Sequence, residues 1–172
     1  MLFRSAGRQR LLAVARRVGE KGGVVAFDNN YRPRLWPDVP TARQAFAAAT
    51  AVATLALMTL DDEQALWGQP DAEVQLQRTL GLATAEVVVK RGAESTLVRL
   101  AGQPVAEVPT LPVPQVVDTT AAGDSFAGAY LAARLGGDPP VQAAQAGNRL
   151  AARVVQHRGA VLPESLMADL VP

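Results

Sequence analysis

Three short runs rich in β-branched residues, "VVAFD" at 24–28, "VVVK" at 87–90 and "VVDTT" at 116–120, each lead straight into polar or small residues. Between them lie stretches whose apolar residues recur at helical spacing. That alternation predicts an α/β domain with a largely parallel sheet, because parallel neighbours need a crossover that a helix supplies. In such sheets ligands collect at the carboxyl ends of the strands. The three ends here are Asp28-Asn29-Asn30-Tyr31-Arg32, Lys90-Arg91-Gly92 and Ala121-Ala122-Gly123-Asp124. A site is expected there.

Local patterns place the elements. "RQRLLAVARRVGEKGG" puts Leu11, Val14, Ala15 and Val18 on one helical face, and Gly22 and Gly23 end the helix. "VVAFD" reads as a short buried strand. "NNYRPRLWPDVP" reads as a loop, since its three prolines and two asparagines sustain neither helix nor central strand. "TARQAFAAA" returns to helix and "VATLALMT" to strand. "DDEQALWG" is a short helix whose acidic first turn complements the helix dipole. "DAEVQLQRTLGL" is another amphipathic helix, and "AEVVVKRG" a strand with its turn. "STLVRL" and "QPVAEVP" pair as a hairpin. Helices are expected at about 122–135 and 139–156, with a short one near 164–170. No repeat or low-complexity linker divides residues 1–172, so one domain is expected.

Composition removes several functions. The absence of cysteine excludes disulfides and thiolate metal sites, and a lone His157 excludes a histidine-rich centre and argues against a Ser-His-Asp triad. Aromatic residues are only 5% of the chain, so the core must be built from Val, Leu and Ala. No apolar run approaches the ~20 residues of a bilayer span. "MLFRSAGRQR" turns charged too early for a signal peptide, so a cytoplasmic protein is expected. Residues 1–34 hold eight Arg or Lys against two acids, whereas the rest of the chain sums to −5. That basic arm reads either as a nucleic-acid surface or as a solvated helix face with one or two functional arginines; the second reading is preferred.

The stretch "DTTAAGD" at 118–124 carries the most chemistry. Small residues at 121–123 let a backbone approach a ligand closely. A helix beginning there points unpartnered N–H groups and the positive end of its dipole outward, an arrangement suited to phosphate. Asp124 beside it could accept a proton from an attacking hydroxyl. The alternative is that Thr119 or Thr120 caps the helix and Asp124 merely complements its dipole.

"DTTAAGDSFAGAYLA" resembles the C-terminal signature of the ribokinase-like, phosphofructokinase-B type sugar kinases, Asp-Thr-x-Gly-Ala-Gly-Asp followed by a helix. "FDNNYRPRLW" at 27–36 is similar, more narrowly, to the Asp-x-Asn-x-Arg-x-x-Leu-Trp stretch of the 2-keto-3-deoxygluconate kinases. "VVVKRGAEST" and "AGNRLAARVVQHRGA" fall where that family has its further motifs. The resemblance covers nearly the whole chain. It implies a three-layer α/β/α ribokinase-like fold, ATP and Mg2+ as cofactors, and phosphorylation of a sugar acid at its primary hydroxyl.

It also implies roles. Asp124 would be the base, with the backbone of Ala121, Ala122 and Gly123 as the anion hole. Lys90, Gly92, Ala93, Glu94 and Ser95 would lie along the nucleotide, and Asn148 near the adenine. Asn30, Tyr31 and Arg32 would lie near phosphates and sugar, with Arg32 pairing the sugar's acidic group. Lys90 and Arg91 could instead be a solvated strand end. Arg34 reads as a surface charge and Trp36 as a loop anchor.

Two departures from the family pattern stand out. Its first glycine is Ala121 here. Its Asn-x-x-Glu motif becomes "MTLDDEQAL", leaving Asp62 or Glu63 as an indirect magnesium contact or as an ordinary acidic first turn. The family's chains run to roughly three hundred residues, so the resemblance implies a chain truncated at its N-terminus, lacking strands and lid and leaving apolar faces uncovered. A homodimer is expected only of a full-length form, and no nucleic acid or membrane partner is expected. The alternatives are a fructokinase or other ribokinase-like sugar kinase, and a non-catalytic nucleotide-binding fragment.

Overall fold

The structure, a computed structural model, describes residues 5–166. They fold into two compact units. The first comprises the residues up to Arg91 together with Arg99–Val105, and the second comprises Gly92–Val98 together with the residues from Ala106 onward.

In the first unit, helix α1 (Ser5–Glu20) ends where Gly22 takes φ 77° and the Gly23 amide bonds back to Val18 O at 2.9 Å, a glycine-closed C-terminus. Strand β1 (Ala26–Asp28) is parallel to β2 (Leu55–Thr59), which is parallel to β3 (Glu86–Lys90). Helix α2 (Val39–Thr50) starts on Asp38, whose carboxylate accepts the Thr41 amide at 2.7 Å. Helix α3 (Leu60–Trp67) ends at Gly68 in the left-handed region. Helix α4 (Ala72–Leu80) is capped by Asp71, and its last carbonyl accepts from Arg99 Nε at 3.1 Å.

Val87, Val88 and Val89 are wholly buried beside Ala56, Leu57 and Met58. A continuous apolar run of this kind is what a strand covered on both faces requires. A second cluster gathers on Phe46, whose ring meets Phe27, Tyr31 and Trp36 edge-on with centroids 5.5–5.7 Å apart. Trp36 is thus a loop anchor, as the sequence suggests.

Strand β4 (Thr96–Leu100) gives its first residues to the second unit, where they pair antiparallel with β5 (Ala106–Val108), the expected hairpin. The strand order is β1-β2-β3-β4-β5. Helices α5 (Ala122–Leu135) and α6 (Pro140–Val154) complete this unit. They approach closely because position 147 is glycine: a Cβ there would lie 2.7 Å from the buried Phe126 ring.

Three expectations need correction. "VVAFD" is not a buried strand: only Ala26–Asp28 is extended, Ala26 is exposed, and Val24 is 64% exposed, because β1 is the outermost strand. "VVDTT" forms no strand. The amides of Val117 and Asp118 both turn to Val155 O, at 2.7 and 3.2 Å, so the run is a loop tied to the end of α6. The helix expected near 164–170 is a single 3-10 turn at Glu164–Leu166, and its remainder lies outside the described residues. "NNYRPRLWPDVP" likewise contains one 3-10 turn, Pro33–Leu35. No helix among the described residues is long and apolar enough to cross a membrane.

Candidate functional site

Register sets the first unit's site. Asp28 stands opposite Leu57, two residues before Thr59, which stands opposite Lys90, so the polar ends of three parallel strands lie near one another. Lys90 Nζ lies 3.0 Å from Asp28 Oδ2, and Lys90 is 8% exposed. This is an enclosed ion pair, not a solvated strand end. Removing one partner would leave the other charge poorly compensated.

Beyond Asp28 the chain turns sharply. Asn30 has φ 29°, in the left-handed region that asparagine tolerates better than most residues. The Tyr31 amide donates to Asp62 Oδ2 at 3.1 Å. Arg32 Nη1 donates to Tyr31 O at 3.0 Å and lies 3.6 Å from Asp62 Oδ1, with the guanidinium more than half exposed. Burial raises the Asp62 carboxyl above the usual aspartate range, while Arg32 and the Tyr31 amide oppose that shift. An open cavity of 690 Å³ lies alongside, lined by Asn29, Asn30 and Arg32 at one end and by Phe27, Phe46 and Trp36 elsewhere.

Glu63 faces inward. It is 3% exposed; Oε1 accepts from Asn29 Nδ2 at 3.3 Å and Oε2 from Trp67 Nε1 at 3.1 Å. Burial raises its pKa too, against those two hydrogen bonds and the Arg78 charge. Each Glu63 oxygen thus accepts one hydrogen bond, and the residue braces Asn29 and Trp67. Among the described residues no three metal-ligating side chains cluster. Asp62, whose Oδ2 accepts the Tyr31 amide and whose Oδ1 lies 3.6 Å from Arg32, is the partly buried acid at this turn that could meet a magnesium ion through water.

The Tyr31 side chain is 4% exposed and packed on Phe46, so its backbone is the part that borders the turn.

The second unit carries the other constellation. Ala121 caps α5 with φ 61°, and no side chain bonds to the cap, which rules out Thr119 and Thr120 as capping residues. Asn30 and Ala121 are the two non-glycine residues with positive φ among the described residues, and both are candidate site residues. Local strain of this sort concentrates at functional positions. The Ala122 amide closes on Thr119 O at 3.2 Å and the Ser125 amide on Ala121 O at 2.8 Å. By helix geometry the amides of Gly123 and Asp124 then have no partner inside the helix. Of the expected nest at 121–123, the Ala122 amide is engaged by Thr119 O, whereas helix geometry leaves that of Gly123 without an intrahelical partner. Asp124 is exposed.

Asp118 fixes the approach to this turn. Its Oδ1 accepts the Thr120 amide at 2.8 Å and its Oδ2 the Gly159 amide at 2.9 Å, bridging 41 residues of chain. These hydrogen bonds hold its carboxyl down at about 2.

The expected nucleotide strip has mixed character. Gly92 turns with φ 63°, and Gly92, Ala93 and Glu94 are exposed. Ala93 O accepts from Thr110 Oγ1 at 2.6 Å, and Ser95 Oγ donates to Glu107 Oε1. Asn148 is 5% exposed, accepts from Thr96 Oγ1 at 2.9 Å and donates to Pro109 O at 3.0 Å. It braces the β4–β5 hairpin against α6.

The first unit thus brings Asn30, the Tyr31 backbone, Arg32, Asp62 and Lys90 together. The second brings together Ala121, Ala122, Gly123 and Asp124. Sequence reasoning missed Asp28, Asn29 and Asp118 as partners. Asp28 and Asp118 were visible as the first acid of each motif, but their partners lie far along the chain.

Residues 2–166 match the family profile described as pfkB family carbohydrate kinase. The chain is 46% identical over 168 residues to 2-dehydro-3-deoxygluconokinase of Dickeya dadantii, covering 96% of this chain and 54% of that one. Among solved structures, aminoimidazole riboside kinase from Salmonella enterica, complexed with aminoimidazole riboside and an ATP analog, superimposes with TM-score 0.85 at 26% identity. That match covers 99% of this chain and 60% of the other. A structure from E. coli in complex with ATP and Mg2+ gives TM-score 0.76 at 29% identity, covering 92% and 51%. The chain spans about half the length of the curated relatives it matches. With a mostly parallel sheet and six α-helices among its described residues, it has the ribokinase-like α/β fold, and it belongs to the pfkB family of carbohydrate kinases.

Proposed function

We propose that the protein takes part in ATP-dependent phosphorylation of 2-keto-3-deoxygluconate at its primary hydroxyl. Asp124 accepts the hydroxyl proton as that oxygen attacks the γ-phosphorus; the new O–P bond forms as the bond to ADP breaks. The amides at the start of α5 that have no partner inside the helix face the transferring phosphoryl group, where developing negative charge is stabilised most. Arg32 pairs the sugar acid's carboxylate through its exposed guanidinium. Lys90, Gly92, Ala93, Glu94 and Ser95 border the nucleotide. A magnesium ion carried by the nucleotide would neutralise phosphate charge, and Asp62 is the acid that would meet it, through water.

The observation that supports this most is the pairing of a left-handed Ala121 with an exposed Asp124 on the first turn of α5, in a chain 46% identical to 2-dehydro-3-deoxygluconokinase. The test is sugar-dependent ADP release by the protein and by Asp124→Asn. The variant is expected to lose turnover by about a thousandfold or more while still binding ATP. Near-normal turnover in the variant would remove Asp124 as the base.

A second reading, a kinase for another sugar, draws on the TM-score of 0.85 to aminoimidazole riboside kinase. Turnover with fructose or a riboside, but none with the sugar acid, would favour it. ATP binding without turnover of any sugar would favour a nucleotide-binding role alone.

A further inference from the structure

Asn29 follows β1 and is 3% exposed. Its carboxamide makes four hydrogen bonds. Nδ2 donates to Thr59 O at 3.0 Å and to Glu63 Oε1 at 3.3 Å. Oδ1 accepts from the amides of Thr59 and Asn30, each at 2.9 Å. Two donors and two lone pairs are all that a carboxamide has. The side chain therefore extends the β1–β2 ladder past its last backbone pair, grips both polar groups of Thr59, and ties the strand ends to a buried acid on α3.

We propose that Asn29 is the positioning residue of the Asn30–Arg32 turn, acting through Thr59 and Glu63 and touching no substrate itself; its consequence for sugar-acid binding rests on the role of Arg32 proposed above. The chain of contacts is short. Asn29 Oδ1 holds the Asn30 amide, which fixes the left-handed residue that reverses the chain. The same side chain holds Glu63, and the neighbouring Asp62 receives the Tyr31 amide and faces Arg32. One carboxamide thus sets both sides of the turn.

Residue type is decisive here. Leucine would fill the space but remove the bonds to the Thr59 amide and carbonyl and to Glu63 Oε1, which is costly in a buried place. Aspartate would keep the two accepted bonds, lose both donated ones and set a second carboxylate against Glu63.

The experiment compares amide hydrogen exchange and 2-keto-3-deoxygluconate binding in the full chain and three variants: Asn29→Ala, Asn29→Asp, and Asn29→Asp combined with Glu63→Gln. In Asn29→Ala the amides of Asn30, Tyr31 and Thr59 should exchange about tenfold faster or more, while those of Val87–Val89 in the core of β3 keep their protection. In the double variant the carboxamide introduced at position 63 can donate to the carboxylate introduced at position 29, restoring the link between these two positions with reversed polarity while the bond to Thr59 O stays lost. Its exchange should return at least about threefold toward wild type, whereas Asn29→Asp alone stays fast.

Unchanged exchange in Asn29→Ala, or a double variant as fast as Asn29→Asp, overturns the proposal. Where the wild-type protein binds the sugar acid, Asn29→Ala should weaken binding about tenfold, with recovery in the double variant. Faster exchange with unchanged affinity reduces Asn29 to a structural residue and likewise overturns it. A wild-type protein that binds no sugar acid counts against the role of Arg32, and exchange with its rescue then decides the role of Asn29.

Discussion

At the residue scale, two positions carry consequences that can be measured directly. Ala121 occupies the left-handed region, where an L-residue costs about 1–2 kcal/mol and glycine almost nothing. Glycine adds freedom to the unfolded chain, so Ala121→Gly should stabilise the protein by a net of about 0.5–1 kcal/mol in a thermal or urea melt. Unchanged or lowered stability would mean that the turn is not strained as described.

Asp118 makes a pH statement. Its hydrogen bonds lower the carboxyl from the ordinary 3.8 to about 2. A depressed acid contributes stability that is fully present above the unfolded value and is lost as pH falls through the folded one. The Thr120 and Gly159 amides should therefore stay protected at pH 5 and lose protection, beyond the intrinsic pH effect on exchange, between about pH 4 and pH 2. In Asp118→Asn that acid-dependent step should vanish.

Asp124 and Arg32 could be singled out in the sequence because each sits inside a short motif. Asn29 could not. Its partners are Thr59 and Glu63, 30 and 34 positions away, and no local pattern reports a contact of that range.

At the element scale, helices were readable where apolar spacing and capping agreed. Helix α5 spans the expected 122–135, whereas α2 begins at Val39 on an Asp38 cap, two residues before the helix expected from Thr41. Strands fared worse. A β-branched run says that a segment is extended, not that a neighbour exists to pair with it. "VVVK" found a partner, whereas "VVDTT" gave its amides to Val155. The α5–α6 contact was also hidden, because a glycine inside a helix looks like a weakness until the facing ring is seen. Gly147→Ala would gain about 1 kcal/mol of helix propensity but set a methyl group 2.7 Å from the Phe126 ring. Overpacking of that kind costs about 1–3 kcal/mol, so a net loss of up to about 2 kcal/mol is expected in a denaturant melt. A stability gain would show that the two helices can separate freely.

At the scale of the whole molecule, the apolar face that the sequence assigns to α1 is largely uncovered. Leu11 is 67% exposed, Val14 57% and Val18 38%. Contiguous apolar surface of this sort promotes association. The chain should therefore self-associate as its concentration rises, and replacing Leu11 and Val14 with lysine should reduce that association in sedimentation experiments. Indifference of the sedimentation profile to both substitutions would show that this face is not sticky. The aromatic residues offer a different opening. Both tryptophans, Trp36 and Trp67, lie in the first unit, one on Phe46 and the other under the Arg78 guanidinium at 3.4 Å. Intrinsic fluorescence excited at the red edge of the spectrum should consequently report on that unit alone, while circular dichroism sees helices throughout. Two unfolding curves that fail to coincide would then reveal, without any added label, that the two halves of the polypeptide lose structure at different temperatures.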